Sequence, residues 1–137
     1  MKKLTLLLIL LLITLTSCST SGTKLDNLIP ITSETINSVQ SSAGRIVNYA
    51  RSLSEEECKE FFDIVNVEYD YYLKDTEKLI GDYTPLFYIT YKSENEYDSF
   101  TIYYLNNKKI LITGCTQYID KQYISTSAVL IPSKFLN

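Results

Sequence analysis

The chain contains no His, and this absence limits the chemistry open to its other side chains. His is the commonest general base and a frequent zinc ligand, so Ser-His-Asp catalysis, Cys-His catalysis and most zinc sites are excluded. Glu94, Glu96 and Asp98 alternate through a polar connection but lack the spacing and distal Glu of a calcium loop. We therefore expect a solvated turn there, and a protein that is not an enzyme and uses no metal and no cofactor.

The start of the chain has the pattern of an export signal. A short basic segment, residues 1–3, is followed by residues 4–15, which are almost wholly Leu, Ile and Thr. This order is typical of a secretory signal. A transmembrane helix needs about 20 apolar residues, and the polar run at residues 16–21 comes too early for one.

The tetrapeptide Leu15-Thr16-Ser17-Cys18 resembles the lipobox of bacterial lipoproteins, in which an aliphatic residue and two small residues precede a Cys. The resemblance covers residues 1–18 only. It implies that residues 1–17 are removed and that the Cys18 thiol receives a diacylglyceryl group, which would hold the protein on a membrane. An ordinary cleaved signal with a spare cysteine is the alternative. Ser19 stands where an Asp would resemble an inner-membrane retention signal, so the outer membrane is favoured if the host is Gram-negative.

The charge balance of the chain excludes one class of partner. The formal net charge of -3 becomes about -5 once residues 1–17 are removed, because that segment contains two Lys and no acid. Nucleic acid attracts clustered Lys and Arg, so it is not an expected partner. The chain also lacks a polybasic patch, so attachment to a membrane must come from the lipid rather than from surface charge.

Two further cysteines, Cys58 and Cys115, lie in the body of the chain. Disulfides persist in oxidising compartments outside the cytosol, and a bridge here would join a predicted helix to a predicted strand. Closing so long a loop adds about 4 kcal/mol in the chain-entropy model. Two buried free thiols are the alternative. A redox-active pair is disfavoured, because there is no Cys-x-x-Cys and no nearby base to lower a thiol pKa.

The pattern of apolar residues predicts two helices after a polar tether. Helix 1 is predicted from Ser33 to Leu53, where apolar residues recur at spacings of three and four. Helix 2 is predicted to begin after Ser54, because Ser54 and Glu57 have the spacing of a capping box. Its apolar stripe comprises Cys58, Phe61, Phe62, Val65, Tyr69, Tyr72 and Leu73.

The rest of the chain predicts four strands separated by short polar breaks. These segments are rich in Ile, Tyr, Thr, Val and Phe, and their short connections favour an antiparallel meander. The predicted strands are residues 85–92, 99–105, 109–119 and 122–131. We therefore expect an α+β fold, with two N-terminal helices packed on one face of a four-stranded antiparallel sheet.

The length of 137 residues fits a single domain. The expected organisation is a signal peptide at residues 1–17, a lipidated Cys and flexible tether at residues 18–32, and one α+β domain at residues 33–137. The tether is predicted because this stretch is rich in Ser, Thr and Gly and shows no lasting periodicity.

Tyrosine is the most unusual feature of the composition, with 12 Tyr against 5 Phe and no Trp. In the predicted strands Tyr88 and Tyr103 alternate with apolar neighbours, so both faces of the sheet carry aromatic surface. Exposed Tyr side chains suit protein recognition, and they also stack on sugar rings. The alternative is that the high Tyr content reflects only the preference of Tyr for strands and has no function.

These features favour a non-enzymatic protein-binding module, held by its lipid at the cell envelope. An envelope protein is the expected partner, and inhibitor, immunity or exclusion factor and assembly accessory are the roles that fit. The alternative is a small-ligand pocket formed by helices and a curved sheet, as in cystatin-like and nuclear-transport-factor-like folds. That likeness is at the level of the fold only.

Overall fold

The computed structural model describes residues 22–44, 51–94, 96–114 and 121–136. Within these residues, eight strands form one sheet, and every neighbouring pair runs antiparallel. The strands are β1 (Thr23–Lys24), β2 (Ile36–Ser42), β3 (Arg51–Ser52), β4 (Glu68–Tyr72), β5 (Leu86–Ser93), β6 (Glu96–Tyr104), β7 (Ile110–Thr113) and β8 (Gln122–Ser125). Their order across the sheet is β1-β4-β8-β7-β6-β5-β2-β3. The strands at both edges, β1 and β3, are two residues long, which limits pairing with other chains.

The described residues contain two α-helices, the single turn α1 (Leu25–Leu28) and the 11-residue α2 (Glu55–Val65). The prediction of two N-terminal helices on a four-stranded antiparallel sheet is therefore wrong. Helix 1 is absent from the described part of residues 33–53, which instead contains β2 and β3. The segment that forms β2 is rich in Ser and Asn, which favour non-helical backbone, and its pairing with β5 satisfies its backbone groups.

The four C-terminal strands pair in chain order, so β5 to β8 do form a meander, although they make up only half of the sheet. The third predicted strand is observed as β7, and its residues 115–119 lie outside the described residues. The fourth predicted strand ends early, at Ser125. Beyond Ser125 the chain continues without strand structure and buries Val129 and Ile131.

Helix α2 begins with the predicted capping box. The Ser54 hydroxyl accepts a hydrogen bond from the Glu57 amide at 3.2 Å, and the Glu57 carboxylate accepts one from the Ser54 amide at 2.9 Å. The helix ends at Val65, whose carbonyl accepts a hydrogen bond of 2.7 Å from the Tyr69 hydroxyl. The predicted apolar stripe is therefore divided, because Tyr69 and Tyr72 belong to β4. Burial raises the pKa of Tyr69, so its hydroxyl stays protonated and able to donate.

The core lies between α2 and one face of the sheet. The Phe61 ring of α2 lies 4.4 Å from the Phe87 ring of β5 and 5.6 Å from the ring of Phe135 in the C-terminal segment, measured between centroids. Packing of this kind buries large aromatic surface and contributes the dominant favourable term in folding. The C-terminal segment therefore covers the same face of the sheet as α2.

The N-terminal residues 22–32 belong to the folded structure rather than to a tether. Thr23 and Lys24 pair with β4, and the side chains of Leu25, Ile29 and Ile31 are almost completely buried in the core. The composition of this stretch predicts a flexible tether because its apolar residues show no regular spacing. Burial of isolated apolar residues against a distant part of the chain leaves no such local signal.

Candidate functional site

The face of the sheet opposite α2 carries a group of uncharged polar side chains. In one row across β2, β5, β6 and β7 the register aligns Gln40, Tyr88, Thr101 and Thr113. The neighbouring row across β2, β5 and β6 contributes three further hydroxyl groups. Since side chains alternate along a strand, both rows lie on one face, while Phe87 and its neighbours point to the core. We call this surface the hydroxyl face, and it consists of Ser38, Gln40, Tyr88, Thr90, Ser99, Thr101 and Thr113.

Tyr88 lies at the centre of the hydroxyl face. Its side chain is 43% exposed, and its hydroxyl donates a hydrogen bond of 2.7 Å to the Ser99 hydroxyl of the neighbouring strand. Tyr103, the second residue that the sequence singles out, is half-buried on the same face, diagonal to Tyr88. The structure thus places both tyrosines on one surface, and their part in binding stays a prediction.

The seven residues of the hydroxyl face are uncharged, although charged residues make up 21% of the chain. On the described parts of β2, β5, β6 and β7, Lys92 is the charged residue that borders them on the same side of the sheet, at the end of β5 opposite Tyr97. The central regions of protein interfaces are depleted in charge and enriched in Tyr. The surface around Tyr88 therefore shares its low charge and its central Tyr with interface centres, whereas its Ser and Thr are not residue types enriched there.

Sequence reasoning misses the contribution of β2 to this surface. Ser38 and Gln40 fall within the predicted helix 1, so the pattern gives them no part in a sheet face. The signal that identifies them is the alternation of polar residues around Val39, which is fully buried on the core side. A single apolar residue with polar neighbours is a weak strand signal when the wider spacing fits a helix.

The connection between β4 and β5, residues 73–85, covers one end of the same side of the sheet. We call it the crossing loop. Near its start, the Thr76 hydroxyl accepts a hydrogen bond of 3.2 Å from the Gln122 side chain of β8. Near its end, the backbone of Asp82 lies directly against Gly44, which follows β2. The loop therefore spans from β8 to β2 and leaves the hydroxyl face accessible beside it.

The three acids of the β5–β6 connection do not converge on one point. Glu94 adopts a positive φ of 48° in an exposed turn, and Glu96 is exposed at the start of β6. The Asp98 carboxylate instead accepts hydrogen bonds from the Tyr91 hydroxyl at 3.2 Å and from the Ser99 amide at 2.8 Å. Among the described residues, no group of three or more Cys, Asp or Glu side chains is placed to hold a metal ion.

Cys58 lies at the base of a groove beside the start of α2. The groove has a volume of about 430 Å³, and its lining includes Ser33, Asn37, Leu53 and Lys59. The Cys58 sulfur lies 3.9 Å from the Leu53 carbonyl oxygen, and burial raises the pKa of the thiol. A protonated, buried thiol is a poor nucleophile, so the groove does not have the chemistry of a cysteine active site.

Cys58 has no disulfide partner among the described residues. Both of the other cysteines, Cys18 and Cys115, lie outside the described residues. The lipidation of Cys18 and the bridge between Cys58 and Cys115 therefore remain predictions from the sequence.

An ion pair holds the start of α2 against β3. The Arg51 guanidinium donates hydrogen bonds of 3.1–3.2 Å to both carboxylate oxygens of Glu57, and a further bond of 2.9 Å to the Lys134 carbonyl. The hydrogen bonds from Arg51 and from the Ser54 amide lower the pKa of Glu57. Since both terminal nitrogens of the Arg51 guanidinium have acceptors within the fold, we interpret the group as a structural link between α2, β3 and the C-terminal segment.

Known proteins assign no family or function to this chain. No protein-family model matches the chain, and searches of curated proteins and of solved structures find no match either. Over the described ranges, no helix has the length and apolar character required to cross a membrane.

Proposed function

We propose that this chain is a lipid-anchored, non-enzymatic protein of the bacterial cell envelope that binds another protein through its hydroxyl face. The observation that carries the proposal is an accessible surface four strands wide, with Tyr88 at its centre and Lys92 as the charged residue at its border. Tyr offers a large contact area at low conformational cost, and neutral hydroxyls pair with backbone or side-chain groups of a partner. An inhibitor, an immunity or exclusion factor, or an assembly accessory would use such a surface.

The anchor in this proposal rests on the lipobox-like sequence that ends at Cys18. The acidic balance of the chain supports a lipid anchor rather than electrostatic attachment, because anionic lipid attracts clustered Lys and Arg. A diacylglyceryl group contributes about 0.8 kcal/mol for each buried CH₂, so two acyl chains suffice for stable attachment.

The packing between α2 and the sheet favours protein binding over the small-ligand alternative. A ligand pocket of the cystatin-like or nuclear-transport-factor-like kind needs open space between helix and sheet. Here Phe61, Phe87 and Phe135 fill that position with rings in direct contact. The groove at Cys58 lies at the start of α2, where Ser, Glu, Asn and Lys side chains line much of it.

The anchor is tested by fatty-acid labelling of Cys18→Ala. In a bacterium with lipoprotein-processing enzymes, the unmodified chain is expected to incorporate an alkyne-tagged fatty acid, and Cys18→Ala is expected to incorporate none. Cys58→Ala is the matched control, because it also removes one thiol but leaves the lipobox-like sequence intact. Equal labelling of Cys18→Ala and the unmodified chain would show that Cys18 is not the anchor.

The binding surface is tested by placing the photo-crosslinking residue p-benzoylphenylalanine at position 88. This aromatic residue is close to Tyr in shape, and Tyr88 is 43% exposed, so the fold should tolerate the change. In native envelopes, illumination is expected to produce a discrete protein adduct from position 88. Mass spectrometry of the adduct identifies the partner and the contacted peptide.

The matched control carries the same residue at position 71, since Tyr71 is 48% exposed and its register through Tyr123 and Ile112 places it on the opposite face of the sheet. This variant is expected to give little or no adduct. Equal adducts from both positions would indicate random collision and contradict the proposal. An adduct whose added mass is removed by glycan hydrolases would assign the face to cell-wall sugar instead and contradict the proposal.

A further inference from the structure

The chain is held against the sheet from Gly22 onward. A Cβ atom at Gly22 would lie 2.8 Å from the Thr126 side chain and 3.0 Å from both the Glu68 Cβ and the Tyr69 carbonyl oxygen. The next two residues form β1 by pairing with β4, and Leu25 is then fully buried. From residue 22 onward, the described chain is therefore packed against this edge of the sheet.

Only Ser19, Thr20 and Ser21 separate Cys18 from Gly22. Consecutive Cα atoms are 3.8 Å apart, so the four steps between these two residues span at most about 15 Å. If Cys18 carries the lipid, as in the proposed function on which this inference rests, β1 cannot lie far from the bilayer surface. A tether of this length restricts rotation of the domain relative to the bilayer.

We infer that the short tether orients the domain, with the β1–β4 edge against the membrane and the hydroxyl face held above it. Strand β5 lies five positions from β1 in the sheet order. At about 4.8 Å per strand, this places β5 about 24 Å across the sheet from the membrane-facing edge. With the tether's reach of about 15 Å added, the partner of the hydroxyl face is a protein held at the same membrane, within about 40 Å of its surface.

Surface charge does not explain this orientation. At the β1–β4 edge, Lys24 is paired in register with Glu68, so the basic side chain has an acid beside it. An electrostatically docked edge would instead present clustered Lys and Arg to anionic lipid. The length of the tether is the feature that sets the geometry, and it can be changed without altering the fold.

The orientation is tested by NMR of the lipidated full chain in nanodiscs of phosphatidylethanolamine and phosphatidylglycerol that contain a gadolinium-chelating lipid. Paramagnetic relaxation falls steeply with distance from the headgroup plane. The amides of β1 and β4 are expected to relax several-fold faster than those of β2 and β3. Equal enhancement across the sheet, or a gradient in the opposite direction, would overturn the inference.

A variant with 12 Gly and Ser residues inserted between Ser21 and Gly22 provides the control. A flexible chain of this length adds roughly 20 Å of reach, so the gradient is expected to collapse. A gradient that survives the insertion would assign the orientation to surface contact and overturn the role of the tether. Mass measurement separates the two proposals, since an unacylated Cys18 removes the proposed anchor, whereas an acylated Cys18 with a flat profile removes this inference alone.

Discussion

Replacing Phe61 with Ala is expected to lower the free energy of unfolding by about 3–5 kcal/mol. The Phe61 side chain is completely buried, and its ring contacts the rings of both Phe87 and Phe135. Removing it takes away the burial of the ring and leaves a cavity where α2, the sheet and the C-terminal segment meet. Small domains are stable by about 5–15 kcal/mol, so the loss is a large fraction of the total.

Urea unfolding followed by circular dichroism measures this loss through the transition midpoint. Tyr83→Ala is the control, because it truncates an aromatic side chain that is 86% exposed on the crossing loop, and we expect it to change stability by less than about 0.5 kcal/mol. A loss below about 1 kcal/mol for Phe61→Ala would show that the three rings do not form the centre of the core.

Features that depend on neighbours in sequence are the ones that the sequence predicts correctly. The start of α2 depends on Ser54 and Glu57, which are three positions apart, and both hydrogen bonds of the predicted capping box are present. The meander of β5 to β8 is also local, because short polar connections can join only antiparallel neighbours.

Helix 1 is predicted incorrectly because β2 depends on contacts that are distant in sequence. Ile36 and Val39 are spaced as on a helix, yet in the structure they pair with Tyr91 and Ile89, about 50 residues further along the chain. The same problem affects the end of α2. The apolar stripe continues in register to Tyr69, although that residue belongs to a strand that pairs with β1 and β8.

The extent of the sheet could not be predicted either, because its outer strands are short and pair with remote segments. Strand β1 has two residues and pairs with β4, which lies more than 40 residues away in the sequence. Neither the periodicity nor the composition of residues 22–32 indicates this pairing. The local sequence pattern therefore predicts that these residues belong to the tether, although in the structure they pack in the fold.

The candidate surface is predicted in part. Alternation along β5 and β6 correctly separates Tyr88 and Tyr103 from the core residues between them, because this pattern needs only the strand itself. That the surface is four strands wide follows from the sheet order, which brings β2 and β7 to either side of β5 and β6. Its low charge becomes visible only after these four strands are assembled.

Different elements cover the two faces of the sheet, and the hydroxyl face is covered only in part. Helix α2 and the C-terminal segment cover the core side with aromatic rings. On the other side the crossing loop covers one end only, and its position depends on the close backbone contact between Asp82 and Gly44. A change at this contact should therefore affect both stability and the border of the proposed binding surface.

Gly44→Ala is accordingly expected to lower the free energy of unfolding by about 1–3 kcal/mol. A Cβ atom at Gly44 would lie 2.4 Å from the Asp82 carbonyl oxygen, and an overlap with backbone is relieved only if β2 or the crossing loop moves. Gly81→Ala is a matched control on the same loop, since its Cβ would meet nothing closer than the Thr84 hydroxyl at 3.7 Å. That variant is expected to be neutral or stabilising by up to about 1 kcal/mol, because Ala reduces the entropy of the unfolded chain. Equal unfolding midpoints for the two variants would show that the loop is not held at Gly44.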